Sequence, residues 1–447
     1  MKSQEGIKNS HESEAVSAPD LDPKVLLIDS LNQSFKGFSD DQAEVLKLLD
    51  RTVESIETFE DRVVKTRKDF ESRINGSLEE EDVVEAFEKF AFAAGKEPSG
   101  PVVEEVHAAM NGVFQSLPLE HRGTYLESLI RNLGRPPSEH SLMFPGFLTM
   151  LVSQVEVVIR RYAENISGVI PEAIIGQDEK ITFRELIGFQ TVDEVKSYWV
   201  QHVVDRVLRG SLTDWVKFFV DKIGVSSDSV VVSPEVLEVT QRRHCFIHND
   251  GLASRQYLAN TDSSQFELGE YLAVDAEYVR RAADALQTFV LSLHCAIADK
   301  LSGKNKDARN NLSSFVSMCS FYLLQDKRYE ALKMIGNSIP KLRLDESNQI
   351  ILDVNIWLAH KFSGSFEEVE EEIAALDSDL IPINLRLAKA ALLGQHEEAI
   401  KLIDAMLLTG DIKKQHIVTW PLLSEVYPLY REHENRPELD MRDIEKE

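Results

Sequence analysis

The residue types able to do chemistry gather in one short stretch, Gln241-Arg242-Arg243-His244-Cys245-Phe246-Ile247-His248-Asn249-Asp250-Gly251. Arg243 carries a permanent charge on a planar fork that matches phosphate oxygens. His248 has an imidazole whose ordinary pKa of roughly 6.5 lets it give or take a proton near neutral pH. A cation to hold a phosphate and a group to move a proton form a minimal kit for cleaving RNA. The substrate's own 2′-hydroxyl is then the nucleophile, and the added negative charge of the transition state is what must be stabilised. Such a reaction needs neither a metal nor a protein nucleophile, and no cofactor is expected.

Spacing constrains this kit. On a helix the five-residue step from Arg243 to His248 turns through about 140° beyond one full turn, so the two side chains do not stack on one face. A single helix makes a poor site from them; two copies of the helix, or a distorted helix end, make a better one. That geometry predicts a homodimer. The residues that do stack are His244 and His248, at i and i+4. This is also metal-ligand spacing, but the adjacent Glu of H-E-x-x-H is missing and no third ligand is evident, so no metal is expected. The plainest alternative is a polar helix end with Phe246 and Ile247 in the core.

The element carrying the stretch is legible just upstream. Ser233-Pro234-Glu235 places an N-cap, a first-turn proline and an acid at the positive helix end. The helix they open is expected to run through Val236, Leu237 and Val239 to about Asn249, with Gly251, or else Asn249, as its left-handed stop. Long helical patterns flank it, one over 144–170 and one over 274–301. Shorter ones lie at 181–189, where Thr182 and Glu185 form a capping-box pattern, at 192–208 and at 212–222.

The whole chain bounds these readings. Its 447 residues are 43% hydrophobic, with a net charge of −26 and a pI near 4.9. That is enough apolar content for real cores, and too much acid for a broad nucleic-acid surface. An anionic polymer would need local cations, and around the stretch Arg242, Arg243, His244, His248 and Arg255 outnumber Glu238 and Asp250. Cys245, Cys295 and Cys319 are odd in number and show no C-x-x-C spacing, which excludes a disulfide framework and fits a reducing cytoplasm. The first residues are polar with no apolar leader, and no uninterrupted apolar run of membrane-spanning length is seen. A soluble protein with no membrane partner is expected.

The fold class predicted is all-α. Residues 1–22 and 433–447 read as tails, and 23–137 as a helical region without a chemical signature. There Ser39 and Gln42 look like the capping box of a long helix over 39–74, with Leu49, Ile56, Val63 and Phe70 on a seven-residue seam. The seam serves either packing within the chain or an intermolecular coiled coil. Shorter helices are expected at 78–94, 101–117 and 118–133, with Gly95 and Gly134 as stops and Arg135-Pro136-Pro137-Ser138 as a linker. Residues 138–303 form a separate helical domain.

In 307–432 the segments starting at Tyr329, Phe366 and His396 resemble one another at separations of 37 and 30 residues. Each follows another apolar helix, at 312–324, 350–362 and 383–393. Helix pairs recurring at about 34 residues resemble tetratricopeptide repeats, although most of the usual Trp and Gly-Tyr positions are absent. With a last helix over 416–430 they would make a small solenoid. It either binds a protein partner or supports its neighbour.

Arg243-His244-x-x-x-His248-Asn249-x-Gly251, with Tyr257 a few residues on, resembles the R-x(4–6)-H signature of the HEPN superfamily, and most of all its RiboL-PSP-HEPN branch. The order of a long first helix, the motif, then a long last helix over residues 142–301 resembles the same fold. The resemblance implies a metal-independent endoribonuclease active as a dimer, of the kind found in toxin–antitoxin and phage-defence systems, with RNA as substrate. It implies that Arg243 steadies the scissile phosphate, that His248 is general acid or base, and that His244 is the polar partner between them. Asn249 orients the site, and Arg242 is an alternative arginine. Some members keep the fold without activity, so a non-catalytic interaction module is the competing expectation.

Overall fold

A computed structural model describes residues 22–55, 59–74, 81–94, 100–133, 138–175, 180–262, 265–338 and 344–434. Residues 1–21 and 435–447 of the expected tails, the Gly95 and Gly134 stops and Arg135 to Pro137 of the expected linker lie outside the described residues, while 433–434 close the last helix. Within them the protein is all-α, as its periodicities predict, and holds no strand beyond one isolated antiparallel bridge.

In chain order the helices are α1 Pro23–Ser55, α2 Phe59–Arg73, α3 Glu81–Ala94, α4 Gly100–Ser116, α5 Leu119–Leu133, α6 Ser138–Val169, α7 Pro171–Ile174, α8 Phe183–Leu186, α9 Val192–Leu208, α10 Leu212–Ile223 and α11 Pro234–His248. They continue with α12 Arg255–Asn260, α13 Ala276–Ser302, α14 Lys306–Gln325, α15 Tyr329–Ser338, α16 Glu346–Ser363, α17 Glu367–Ala375, α18 Ile383–Leu392, α19 His396–Thr409, α20 Lys414–Thr419 and α21 Val426–Glu434. Two compact units result. One comprises residues 1–39, 155–236 and 284–447, and the other residues 40–154 and 237–283. The divisions fall inside α1, α6, α11 and α13.

Local signals explain most boundaries. Ser211 and Asp214 close a reciprocal capping box on α10, and Gly224 ends it at φ 73°. Thr182 and Glu185 do the same for α8, which is a single turn rather than the longer helix expected. The Ser39 reading fails. Helix α1 starts sixteen residues earlier, at Pro23, because Leu27, Ile28, Leu31, Phe35 and Phe38 extend its buried stripe upstream. Ser39 lies inside that helix, and its hydroxyl accepts from Gln287 Nε2 at 3.1 Å. Leu49, Val63 and Phe70 are fully buried within the chain, so this part of the seam serves internal packing. The last expected helix is also divided: Pro421 opens a 3₁₀ turn between α20 and α21, since proline lacks the N–H that a helix interior needs.

In the second unit, α2 packs on α3 and α5, and α3 packs on α4. Phe70, Phe87 and Tyr125 meet in edge and stacked ring contacts in their shared core, which also buries Phe90. In the first unit, α14, α16 and α18 pack in succession, and α15 and α19 pair with α16 and α18 respectively. Its core also holds a polar chain. Tyr162 Oη and His294 Nδ1 are 3.2 Å apart, and His294 Nε2 is 3.0 Å from Asn32 Oδ1. Asn32 Nδ2 donates to Asn311 Oδ1 at 3.0 Å, and Asn311 donates to Asp29. Phe35 and Phe315 flank the imidazole.

Residues Leu142–Val169 of α6 are apolar enough on average, and long enough, to cross a membrane. Gln154, Glu156, Arg160 and Arg161 interrupt that stretch. Half of its most apolar eighteen-residue window is buried inside the protein.

Candidate functional site

Helix α11 delivers the chemistry-bearing stretch at its C-terminal end. Its start follows the sequence logic: Pro234 sits at the first position, and Ser233 Oγ accepts the Val236 N–H at 3.3 Å. Its end is made by two residues in the left-handed region, Asp250 at φ 54° and Gly251 at φ 75°. Asn249 is not the left-handed cap. Its N–H still bonds Cys245 O at 2.8 Å, and its side-chain amide donates to Leu252 O at 2.6 Å, which ties the turn together. Gly251 is required twice over. A Cβ there would lie 2.7 Å from Phe246 Cε1 and 2.8 Å from Tyr271 Cε2, besides the cost of its positive φ. Beyond the turn, Leu252 bridges Tyr271, and Ala253 N–H bonds Glu270 O at 2.8 Å. The chain then enters α12 through the N-cap Ser254, whose hydroxyl accepts the Tyr257 N–H at 3.0 Å.

The two neighbouring arginines meet different fates. Arg242 is buried, 6% exposed, and anchors the helix. Its Nε donates to Glu238 Oε1 at 2.6 Å, Nη1 donates to Ala273 O, and Nη2 donates to Tyr257 Oη at 3.3 Å. The guanidinium also lies 4.4 Å from the Tyr278 ring centre and 5.4 Å from that of Phe266. Tyr257 donates to Glu238 Oε1 at 2.6 Å, and Tyr278 donates to Glu238 Oε2. A buried charge is tolerated only when paired and hydrogen-bonded, and here Glu238, the carboxylate partner of Arg242, is held by both tyrosines as well. Burial works against the Arg242 charge, yet Tyr278 and Glu238 outweigh it and raise its pKa. Burial first, then Glu238, pushes the Tyr257 and Tyr278 hydroxyls well above the usual phenol range. Arg242 is thus part of the scaffold in this fold.

Arg243 and His244 are half-buried, and His248 and Asn249 are exposed. His244 and His248 come together as their spacing predicts, with ring centres 4.6 Å apart and planes inclined by 47°. Burial, followed by the charges of His248 and Arg243, lowers the pKa of His244, so its imidazole is neutral at pH 7. The packing of this helix end differs from the plain alternative: Ile247 is 45% exposed and Phe246 only half-buried. The buried members are Arg242 and Cys245, the latter in a small core with Ala253, Tyr257 and Leu272. The stretch therefore presents Arg243, His244 and His248 from a helix end that Arg242 holds from within.

Sequence reasoning counted Glu238 only as a local charge and missed its pairing with Arg242, and it gave Tyr278 and Phe266 no part in the site. Glu238 was legible, because it stands at i−4 from Arg242 on a helix whose start was clear. Tyr278 was not, since it lies 40 residues from Glu238 and carries no local signal for that contact. Among the described residues, no group of three or more His, Cys, Asp or Glu side chains converges to hold a metal. Comparisons of the chain with protein-family models, with curated proteins and with solved structures return no match.

Proposed function

We propose that this protein is a metal-independent endoribonuclease of HEPN type, active as a homodimer, with Arg243 and His248 as its catalytic pair. The observation that carries the reading is the sorting of the two arginines. Arg242 is buried in a network beneath the helix, whereas Arg243 is half-buried and shares the helix end with an exposed histidine and its stacked partner. In this reading Arg243 holds the scissile phosphate as its charge grows. His248 moves the proton of the 2′-hydroxyl or of the leaving oxygen. His244, in ring contact with His248, orients that imidazole. The angular separation of Arg243 and His248 on one helix supports a site completed by the second copy's α11. Asn249 serves the turn that ends the helix, and Arg242 serves the scaffold; neither touches RNA.

The test is cleavage of a mixed RNA substrate in EDTA by the wild type, Arg243→Ala and His248→Ala. Cleavage lost by about 10²-fold or more in both variants, with unchanged circular dichroism, is expected for a general acid–base and a charge-stabilising residue. Equal background in all three proteins rules the proposal out. For the C-terminal part we propose a tetratricopeptide-like solenoid that binds a protein partner. The succession of α14, α16 and α18, with α15 packed on α14 and α16 and α19 packed on α18, supports that arrangement. A cytoplasmic toxin or defence role belongs to the same proposal, and three unbridged, buried cysteines are compatible with it.

A further inference from the structure

We infer that His244 and His248 form a two-imidazole chelate for a borderline divalent transition-metal ion such as Zn²⁺. Two imidazoles bound to one zinc through nitrogens at about 2.0–2.1 Å, opening at right-angled to tetrahedral angles, keep their ring centres about 4.5–5.2 Å apart. In this protein the separation is 4.6 Å, within that range. The sequence argued against a metal because no third ligand was in view, and the structure adds none. That absence defines the kind of site. Closed structural zinc sites use four protein ligands and catalytic ones three, so a two-ligand site leaves open positions and exchanges its ion readily.

Its surroundings act in both directions. The pair lies in the last turn of α11, where unsatisfied carbonyls give the helix end partial negative charge, and the chain as a whole carries −26. Both favour a cation. Arg243, immediately adjacent in sequence, opposes one, and its charge already bears on His244. The balance yields a site that loads when metal is supplied rather than one that holds a resident ion.

The inference stands whether or not the protein cleaves RNA. Where the cleavage reading of the same residues holds, it adds a mode of control: a metal on His248 removes the imidazole from proton transfer, and zinc inhibits. The experiment is a calorimetric titration of ZnCl₂ into the metal-stripped full-length protein at pH 7.5, without RNA. Wild type is expected to show one uptake event per chain that is lost in His248→Ala and in His244→Ala. Single histidine–carboxylate pairs such as His360–Glu368 and His433–Asp404 supply a background common to all the proteins. His248 is exposed, so its variant keeps the fold and decides the matter even if His244→Ala does not fold. Arg243→Gln should bind zinc more tightly while losing any RNA cleavage, a pair of opposite responses that separates the two readings. Identical titrations for wild type and His248→Ala overturn the chelate, as does an Arg243→Gln protein that binds zinc more weakly than wild type.

Discussion

Replacing His294 by Gln should flatten the acid sensitivity of the unit that contains it. His294 is fully buried, and desolvation lowers its pKa from 6.5 to about 3. Its two nitrogens are both engaged, Nε2 with Asn32 Oδ1 and Nδ1 with Tyr162 Oη. Because Asn32 Oδ1 can only accept, the neutral ring carries its proton on Nε2 and accepts from Tyr162. Burial of the ring away from water is what disfavours the cation.

Once unfolded, the same histidine binds a proton below roughly pH 6.5. Between that pH and the folded value of about 3, the unfolded state therefore holds more protons, so stability rises with pH. The contribution is complete above pH 6.5 and is lost as the solution is acidified through that window. Over the full window it amounts to about 5 kcal/mol, at 1.36 kcal/mol per unit. From pH 7 to pH 5 it amounts to about 2 kcal/mol, and that figure needs only a folded pKa well below 5.

Trp199, Trp215, Trp357 and Trp420, all four tryptophans of the chain, lie in the same unit as His294. Urea unfolding followed by tryptophan fluorescence reports on that unit. At pH 7, His294→Gln should be less stable than wild type by about 1–3 kcal/mol, because it leaves a buried polar group unsatisfied. At pH 5 the gap should shrink by about 2 kcal/mol, since glutamine does not titrate. An equal loss in both proteins between pH 7 and pH 5 would refute a neutral, buried His294, and a widening gap would refute the sign.

Three more outcomes are expected. Arg242→Ala should cost about 3–5 kcal/mol in denaturant, because it strands the Glu238 carboxylate in a buried network. A loss below about 1 kcal/mol would contradict the scaffold role of this arginine. Tyr278→Phe removes a hydrogen bond to that charged carboxylate and should cost about 1.5–3 kcal/mol by the same measurement. Gly251→Ala forces a positive φ on alanine and drives its Cβ into Phe246 and Tyr271. It should cost at least about 1–2 kcal/mol, and a neutral result would mean that the turn after α11 is built differently.

The candidate site was legible to the extent that its signals are local. The Ser233-Pro234-Glu235 start of α11, the stop at Gly251 and the His244–His248 stacking all follow from neighbours within a few residues, where covalent geometry and helix periodicity leave little freedom. The same holds for the all-α class and for the starts of α15 and α19, which open at Tyr329 and His396 as the repeat pattern predicts. Local logic failed where a longer-range demand overrode it. Ser39 and Gln42 form a sound capping pattern, yet the apolar stripe from Leu27 to Phe38 continued the helix through them.

By itself, then, the sequence determined that Arg242, Arg243, His244 and His248 share one helix end, and which of them stack. Only the tertiary structure decided which arginine is buried as scaffold and which stays half-buried. Adjacent helical residues point about 100° apart, so one of two neighbours turns to the core and the other does not. Which one turns inward depends on where Tyr257, Tyr278 and the Ala273 carbonyl arrive from other parts of the chain, and no residue near Arg242 records that.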